Sequence, residues 1–260
     1  MIRFAKDIKK YWRYMIYSAR ATLKDEVANS FLNWLWWILD PLLFMLVYTF
    51  VFTIVFGRSQ DYLCAFIFIG YTTWTFFNRS ILASVRTIKR YQGVLSKVYL
   101  PKFVLLISNM LVNGFKMLIG YGLIFVSMFI YRVPLTPKLL WMIPYLLLLA
   151  LLSFGLSCIL LHCGVYIDDL SNIVNVLLRL LFYLTGVFFN PEKQLEGLVR
   201  YLLIRLNPTC YIVTSLRNTM LYGRSPILSW FVLWCAIGLL LSALGIHLIY
   251  KYERRYVKSV

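Results

Sequence analysis

Acidic side chains are scarce in this chain: 10 Asp and Glu stand against 27 Lys and Arg, a formal net charge of +17. Only two histidines are present, His162 and His247, far apart and outside any HExxH pattern, and no GxSxG elbow occurs. Catalysis built on a His base or a zinc-bound water is therefore not supported. Asp168 and Asp169 are the one adjacent pair suited in principle to general acid–base work, but in a short turn they read more simply as a solvated or partner-facing cap. A GxxxxGK[ST] loop is missing too, so the chain does not by that route bind and hydrolyse ATP. The five cysteines, Cys64, Cys158, Cys163, Cys210 and Cys235, lie in or near apolar runs without CxxC spacing, which argues against a zinc site or a disulfide framework. No catalytic, cofactor-binding or metal-binding residue is expected.

What is abundant is apolar surface: 61% hydrophobic residues, 18% aromatic, mean hydropathy +0.75. A soluble globule carries roughly 45–50% apolar residues, so the composition predicts an integral membrane protein. The apolar runs are near the ~20 residues that a membrane-crossing helix needs. The expected fold is all-α, with six transmembrane helices. Because the basic residues lie beside these runs, anionic lipid headgroups rather than nucleic acid are the expected partners of the charge.

Residues 1–30 form one segment, in which Phe4, Ile8, Tyr11, Trp12, Met15, Ile16, Ala19 and Leu23 make a helical stripe largely opposite Lys6, Lys9, Lys10, Arg13, Arg20 and Lys24. This predicts an interfacial amphipathic helix. Residues 31–260 form the six-span domain, with spans at about 34–56, 62–85, 103–131, 139–162, 172–190 and 228–250. The first long apolar run starts after about thirty residues and exceeds a signal core, so it is expected to stay as an anchor. Three polar groups are expected inside the membrane: Asp40 before Pro41 in the first span, Lys116 in the third and Arg179 in the fifth. Lys116 facing lipid costs about 2.5–3.5 kcal/mol, so it must face protein or water, as a structural pair or in a pathway. Ser153 and Ser157 offer close helix contact. Residues 191–226 are neither a span nor a plain loop. Leu195 to Leu206 and Tyr211 to Tyr222, separated by Asn207-Pro208, predict short interfacial or re-entrant helices.

Residues 86–102, RTIKRYQGVLSKVYLPK, are wedged between the second and third apolar runs. As a helix over about 86–100 they place Arg86, Lys89, Arg90, Gly93 and Lys97 on one face and Val85, Ile88, Leu95 and Tyr99 on another, ending at Pro101. The alternative is a basic loop that obeys the positive-inside bias. With both termini inside, the N-terminal segment, this stretch and the tail hold 16 Lys and Arg against 8 outside and three within spans, which predicts a multi-pass protein with N and C termini cytoplasmic.

The stretches LNWLWWILDPLLFMLVYTFVF (32–52), LSKVYLPK (95–102), IDDL (167–170), LNP (206–208) and LRNTMLYG (216–223) together resemble the permease subunit of ABC-2 type polysaccharide exporters. That family moves O-antigen, capsular polysaccharide or teichoic acid across the bacterial plasma membrane. The resemblance spans nearly the whole chain. It implies a transporter of two permeases (a homodimer) and two separate ABC ATPase subunits that bind ATP and Mg. It also implies that residues matching 95–102 follow a cytoplasmic coupling helix, so that Arg86, Lys89, Arg90, Leu95, Lys97 and Asp169 are expected to couple to the ATPase. Family members usually carry Arg-Asp where this chain has Asp168-Asp169, which leaves the role of Asp168 open.

A lipid-linked polysaccharide presents C–H faces that flat aromatic rings contact weakly and repeatedly. Trp37, Phe44, Tyr48 and Phe52 in the first span, with Phe182, Tyr183 and Phe189 in the fifth, are candidate channel residues, although packing explains the same stripe. Two other readings remain: an exporter of small hydrophobic compounds of the same superfamily, and a membrane-embedded glycosyl- or acyltransferase. The last requires a clustered acidic or His site that the sequence does not show.

Overall fold

The computed structural model describes residues 2–28, 32–55 and 61–253, all helical or connecting among those residues. The helices are α1 (Ile2–Ala28), α2 (Trp36–Phe50), α3 (Leu63–Val85), α4 (Thr87–Arg90), α5 (Gln92–Leu95), α6 (Lys102–Ile130), α7 (Met142–Tyr166), α8 (Leu170–Leu184), α9 (Pro191–Gln194), α10 (Gly197–Leu206), α11 (Pro208–Met220) and α12 (Leu228–Lys251). A π-helical turn, Val51–Val55, continues α2. Residue 56, the turn at 57–60 and the basic tail at 254–260 lie outside the described residues.

Among the described residues, four helical stretches are long and apolar enough to cross a membrane: Trp36–Ile54, Lys102–Ile130, Pro137–Tyr166 and Leu228–Lys251. The other two expected spans differ for separate reasons. α3 has 23 residues, a length of ~35 Å, but the run Tyr71 to Thr75 and Asn78, Arg79 and Ser80 lower its hydropathy, and most of its side chains face protein, including Phe66, Phe68, Trp74 and Phe77. α8 stops at Leu184 after 15 residues, not at 190. Beyond it the chain turns through Gly186, whose φ of +69° suits glycine. The carbonyls of Gly186 and Val187 are taken by Arg217 rather than by a continuing helix.

α3, α6, α7 and α12 form the packed centre. α7 and α12 approach closely because Gly155 lies against Leu241 and Ser242; a Cβ there would stand 2.8 Å from the Ser242 amide nitrogen. Ser157 donates to the Ser80 carbonyl of α3 at 3.3 Å, and Ser153 is fully buried, so the small residues do sit at helix contacts. A second cluster joins Met15 of α1 to Ile88, Leu100, Phe103, Leu161 and Ile249. The apolar stripe of α1 thus rests largely on protein, while Trp12 at its flank stays exposed.

These contacts define two ends. At one, Tyr250 donates to Asp7 at 2.6 Å, and Arg3 reaches Tyr99 at 2.8 Å and Glu253 at 3.3 Å. Tyr99 in turn donates to Glu253 at 2.8 Å. Loss of solvent and this bond push the Tyr99 hydroxyl up to about 12. The clasp brings α1, residues 96–101 and the end of α12 together; we call this the near end. At the far end Lys138 donates to the Gly223 carbonyl at 2.8 Å, and Glu192 binds Asn218 at 2.9 Å and Arg224 at 3.1 Å.

Candidate transport and coupling site

Residues 86–102 do not form one helix. Arg86 (φ −102°, ψ 7°) and Tyr91 (φ −100°, ψ 16°) leave helical geometry and break the stretch into two single turns, α4 and α5, followed by an irregular connection. Pro101 does not end this stretch's helix; it stands at the N-cap of α6. The division of faces survives the break over 85–97, where Val85, Thr87 and Ile88 are buried, Leu95 is half-buried and Arg86, Lys89, Arg90 and Lys97 are exposed, but not at Tyr99, which is expected on the apolar face and is exposed. Val98 and Tyr99 add exposed apolar surface beside them. Lys89 pairs with Asp168, tying α4 to the turn between α7 and α8. The Lys89 hydrogen bond and charge hold the Asp168 carboxyl below its usual value. Asp169, exposed, is the N-cap residue of α8.

Behind this surface lies a cavity of about 510 Å³ between α1, α3, α6 and α8. Arg79, Arg86, Arg90 and Lys116 line it with Glu26 as the one carboxylate. Lys116 is half-buried and paired with Glu26 of α1 at 2.5 Å, which accounts for a lysine in the middle of an apolar helix. Asp40 of α2 pairs with Arg79 of α3 at 3.6 Å, so both polar groups have partners within the chain. Asn109 Nδ2 is buried at the cavity without a hydrogen-bond partner. Glu26 answers Lys116 and Asp40 answers Arg79, so Arg86 and Arg90 carry the excess positive charge that makes this an anion-attracting space. Arg179 is not part of it; it is exposed on α8.

The aromatic residues separate into two groups. Phe44 stacks on Tyr71 (ring centroids 3.6 Å) and lies tilted against Tyr48 (4.2 Å), and Tyr48 stacks on Phe188 at 4.3 Å. Phe52 and Phe182 lie 5.7 and 5.2 Å from Phe188, and Tyr183 is 5.6 Å from Phe182. The structure therefore joins Phe44, Tyr48, Phe52, Phe182 and Tyr183 in one continuous set of rings. Trp37 is elsewhere, edge-on to Phe115 at 5.5 Å. The ring that links the two helices is Phe188, not Phe189, because the turn after Leu184 replaces the helical register assumed for residues 185–190. No residue of α2 is fully buried, and Leu43, Leu46, Val47 and Phe50 are exposed, as are Ile173, Val176, Leu177 and Leu180 of α8.

At the far end a buried arginine that sequence reasoning passed over fixes the architecture. Arg217 of α11 donates to the carbonyls of Phe66 (3.0 Å), Gly186 (2.6 Å) and Val187 (2.8 Å), and its guanidinium carbon lies 3.4 Å from the Phe66 ring centroid. Gly70 leaves room for it: a Cβ there would stand 2.5 Å from Arg217 Nη2. The signal was present in LRNTMLYG, where one arginine follows the mixed run IVTSL.

Residues 12–221 match the family described as the ABC-2 type transporter. This chain belongs to that family. Among curated proteins it is similar to the O-antigen export system permease protein RfbA of Myxococcus xanthus, 30% identical over 227 residues and 87% of each chain. It is also similar to two Klebsiella pneumoniae proteins of the same description, 26% and 25% identical over 91% of this chain and 90% of theirs. An ABC-2 type transporter is a transport protein, consistent with the scarcity of catalytic residues, and the resemblance read from the five sequence stretches is borne out.

Proposed function

We propose that this chain is the transmembrane permease subunit of an ATP-driven exporter of a lipid-linked polysaccharide, of the O-antigen, capsule or teichoic acid kind. The observation that carries this reading is similarity over about nine-tenths of the chain to O-antigen export permeases. The anion-attracting cavity beside α1 suits the charged linkage of such a substrate, with Arg86 and Arg90 carrying its excess charge. The ring set from Tyr71 to Phe182 supplies the weak, repeated surfaces that a sliding glycan needs.

In this reading the near end is cytoplasmic, α3 and α8 complete six spans in the plasma membrane, and α9–α11 sit at the outer face. The open faces of α2 and α8 meet a second copy of the permease. Residues 86–101 and Asp169 receive the ATPase, which binds ATP and Mg. Six helices do not enclose a bulky polar chain alone, which supports the pairing.

Deletion in the native bacterium tests the function: surface polysaccharide should disappear while lipid-linked polymer accumulates inside. Intact surface polysaccharide without such accumulation would transfer preference to export of small hydrophobic compounds. Orientation is tested by cysteine labelling, since Lys89→Cys should react only from the cytoplasmic side.

A further inference from the structure

We propose that a second cavity, at the far end, is a binding site for a phosphate-bearing headgroup. It measures about 540 Å³ and lies between α10, α11 and the segment 224–227 that leads into α12, within the range of small-molecule sites. Arg200, Arg205 and Arg224 line it, with Glu192 as the one carboxylate. That carboxylate is already engaged by Asn218 at 2.9 Å and Arg224 at 3.1 Å. The cavity therefore keeps an excess of guanidinium charge with no acid on its wall to answer it.

Arg205 is held in place from two sides. Its guanidinium lies 5.3 Å from the centroid of the Trp230 ring, and its carbonyl accepts from Trp234 Nε1 at 3.2 Å. Its Nη1 is buried and meets no acceptor. The same wall carries Thr214, 6% exposed, beside Cys210, and Tyr145, fully buried, beside Tyr211. A buried polar group left unpaired costs about 1–3 kcal/mol, so an acceptor in the cavity would be favoured by turning the Arg205 guanidinium toward it. Guanidinium and hydroxyl donors call for an acceptor-rich group. A neutral sugar needs acceptors for its own hydroxyl protons, and the one carboxylate is occupied. A phosphate presents acceptor oxygens and charge together and matches the Arg fork. The inference stands on this cavity alone and does not depend on the export reading.

The test uses the full-length chain in a polyoxyethylene detergent free of sugar and phosphate, titrated calorimetrically with dihexanoyl phosphatidic acid, farnesyl diphosphate and inorganic diphosphate. At least one probe should bind saturably. Arg205→Gln should weaken that binding tenfold or more and the near-isosteric Thr214→Val about threefold, with Arg132→Gln, exposed and outside both cavities, leaving it unchanged. Thr214→Val keeps the test decisive should Arg205→Gln fail to fold. Binding of phosphatidic acid but not the diphosphates assigns the site to membrane lipid. The converse assigns it to an isoprenoid diphosphate carrier, and binding of both supports the shared phosphate chemistry. The proposal is overturned if no probe binds, if binding depends on neither Arg205 nor Thr214, or if maltotriose alone binds with dependence on Arg205.

Discussion

The two ends of this molecule hold their polypeptide in opposite ways. At the near end, residues 86–101 are anchored by Ile88 and Leu100, and their charged side chains, including the Lys89–Asp168 pair, lie in the open. At the far end, Arg217 is 2% exposed and ties α11 to α3 and to the turn after α8 through three carbonyls. Exposed ion pairs contribute little and are easily exchanged for contacts with another chain, whereas a buried cation whose donors are matched to carbonyls is costly to disturb. The near end is suited to docking, the far end to keeping its short helices in register without any neighbour.

The largest expected effect follows from removing Arg217. Arg217→Met leaves the carbonyls of Gly186 and Val187 without their donor, at about 1–3 kcal/mol for each buried group left unpaired. Thermal unfolding of the purified chain should fall by many degrees, and α9–α11 should become protease-sensitive. An unchanged melting temperature would remove the contrast between the ends. Gly70→Ala tests the same lock from the α3 side, since the added methyl meets Arg217 and stands 3.2 Å from Val187 Cα. Such overpacking costs about 1–3 kcal/mol. Combined with Arg217→Met, the Gly70→Ala penalty should shrink, because the clashing side chain is gone; full additivity would show that Gly70 matters for another reason.

Next comes a change expected to act on function more than on stability. Leu95→Pro falls in a single helical turn at a half-buried position, so melting should shift by only a few degrees. Stimulation of the partner ATPase by the permease should nevertheless be lost. A variant that still coupled fully would place the docking surface elsewhere.

Legibility in the sequence followed the length scale of the signal. Long apolar runs gave α6, α7 and α12 within a few residues, because burial of a whole stripe outweighs any local preference. Short elements depended on single backbone positions. Thr185-Gly186 was the cue that the fifth run breaks, but an apolar window of that size reads through one glycine. Residues 86–102 carried the correct faces as far as Lys97 and the wrong continuity, since two residues leaving helical geometry do not alter periodicity, while Tyr99 lies in the irregular connection where helical spacing no longer applies. Phe188 and Tyr71 were missed because ring stacking joins distant positions, and Arg217 because an arginine beside a polar loop looks like any surface charge until its carbonyl partners are known.

The smallest effect is expected at Asp168, and its sign follows from its ionisation. Lys89 holds the folded carboxyl below its ordinary value, so the tie between α4 and the α7–α8 turn is present above the usual carboxylate range and is lost as pH falls through the lowered one. Because both side chains lie in water, Asp168→Asn should leave the melting temperature of the chain unchanged near neutral pH. What should change is local motion. A spin label at Ser96→Cys, in the irregular connection after α5, should be more mobile in the Asp168→Asn chain at pH 7. Strong acid should raise mobility only where Asp168 is intact, and the two proteins should converge there. If the label moved equally in both at pH 7, the pair would have no part in setting the position of the docking segment, and anchoring by Ile88 and Leu100 would be sufficient by itself.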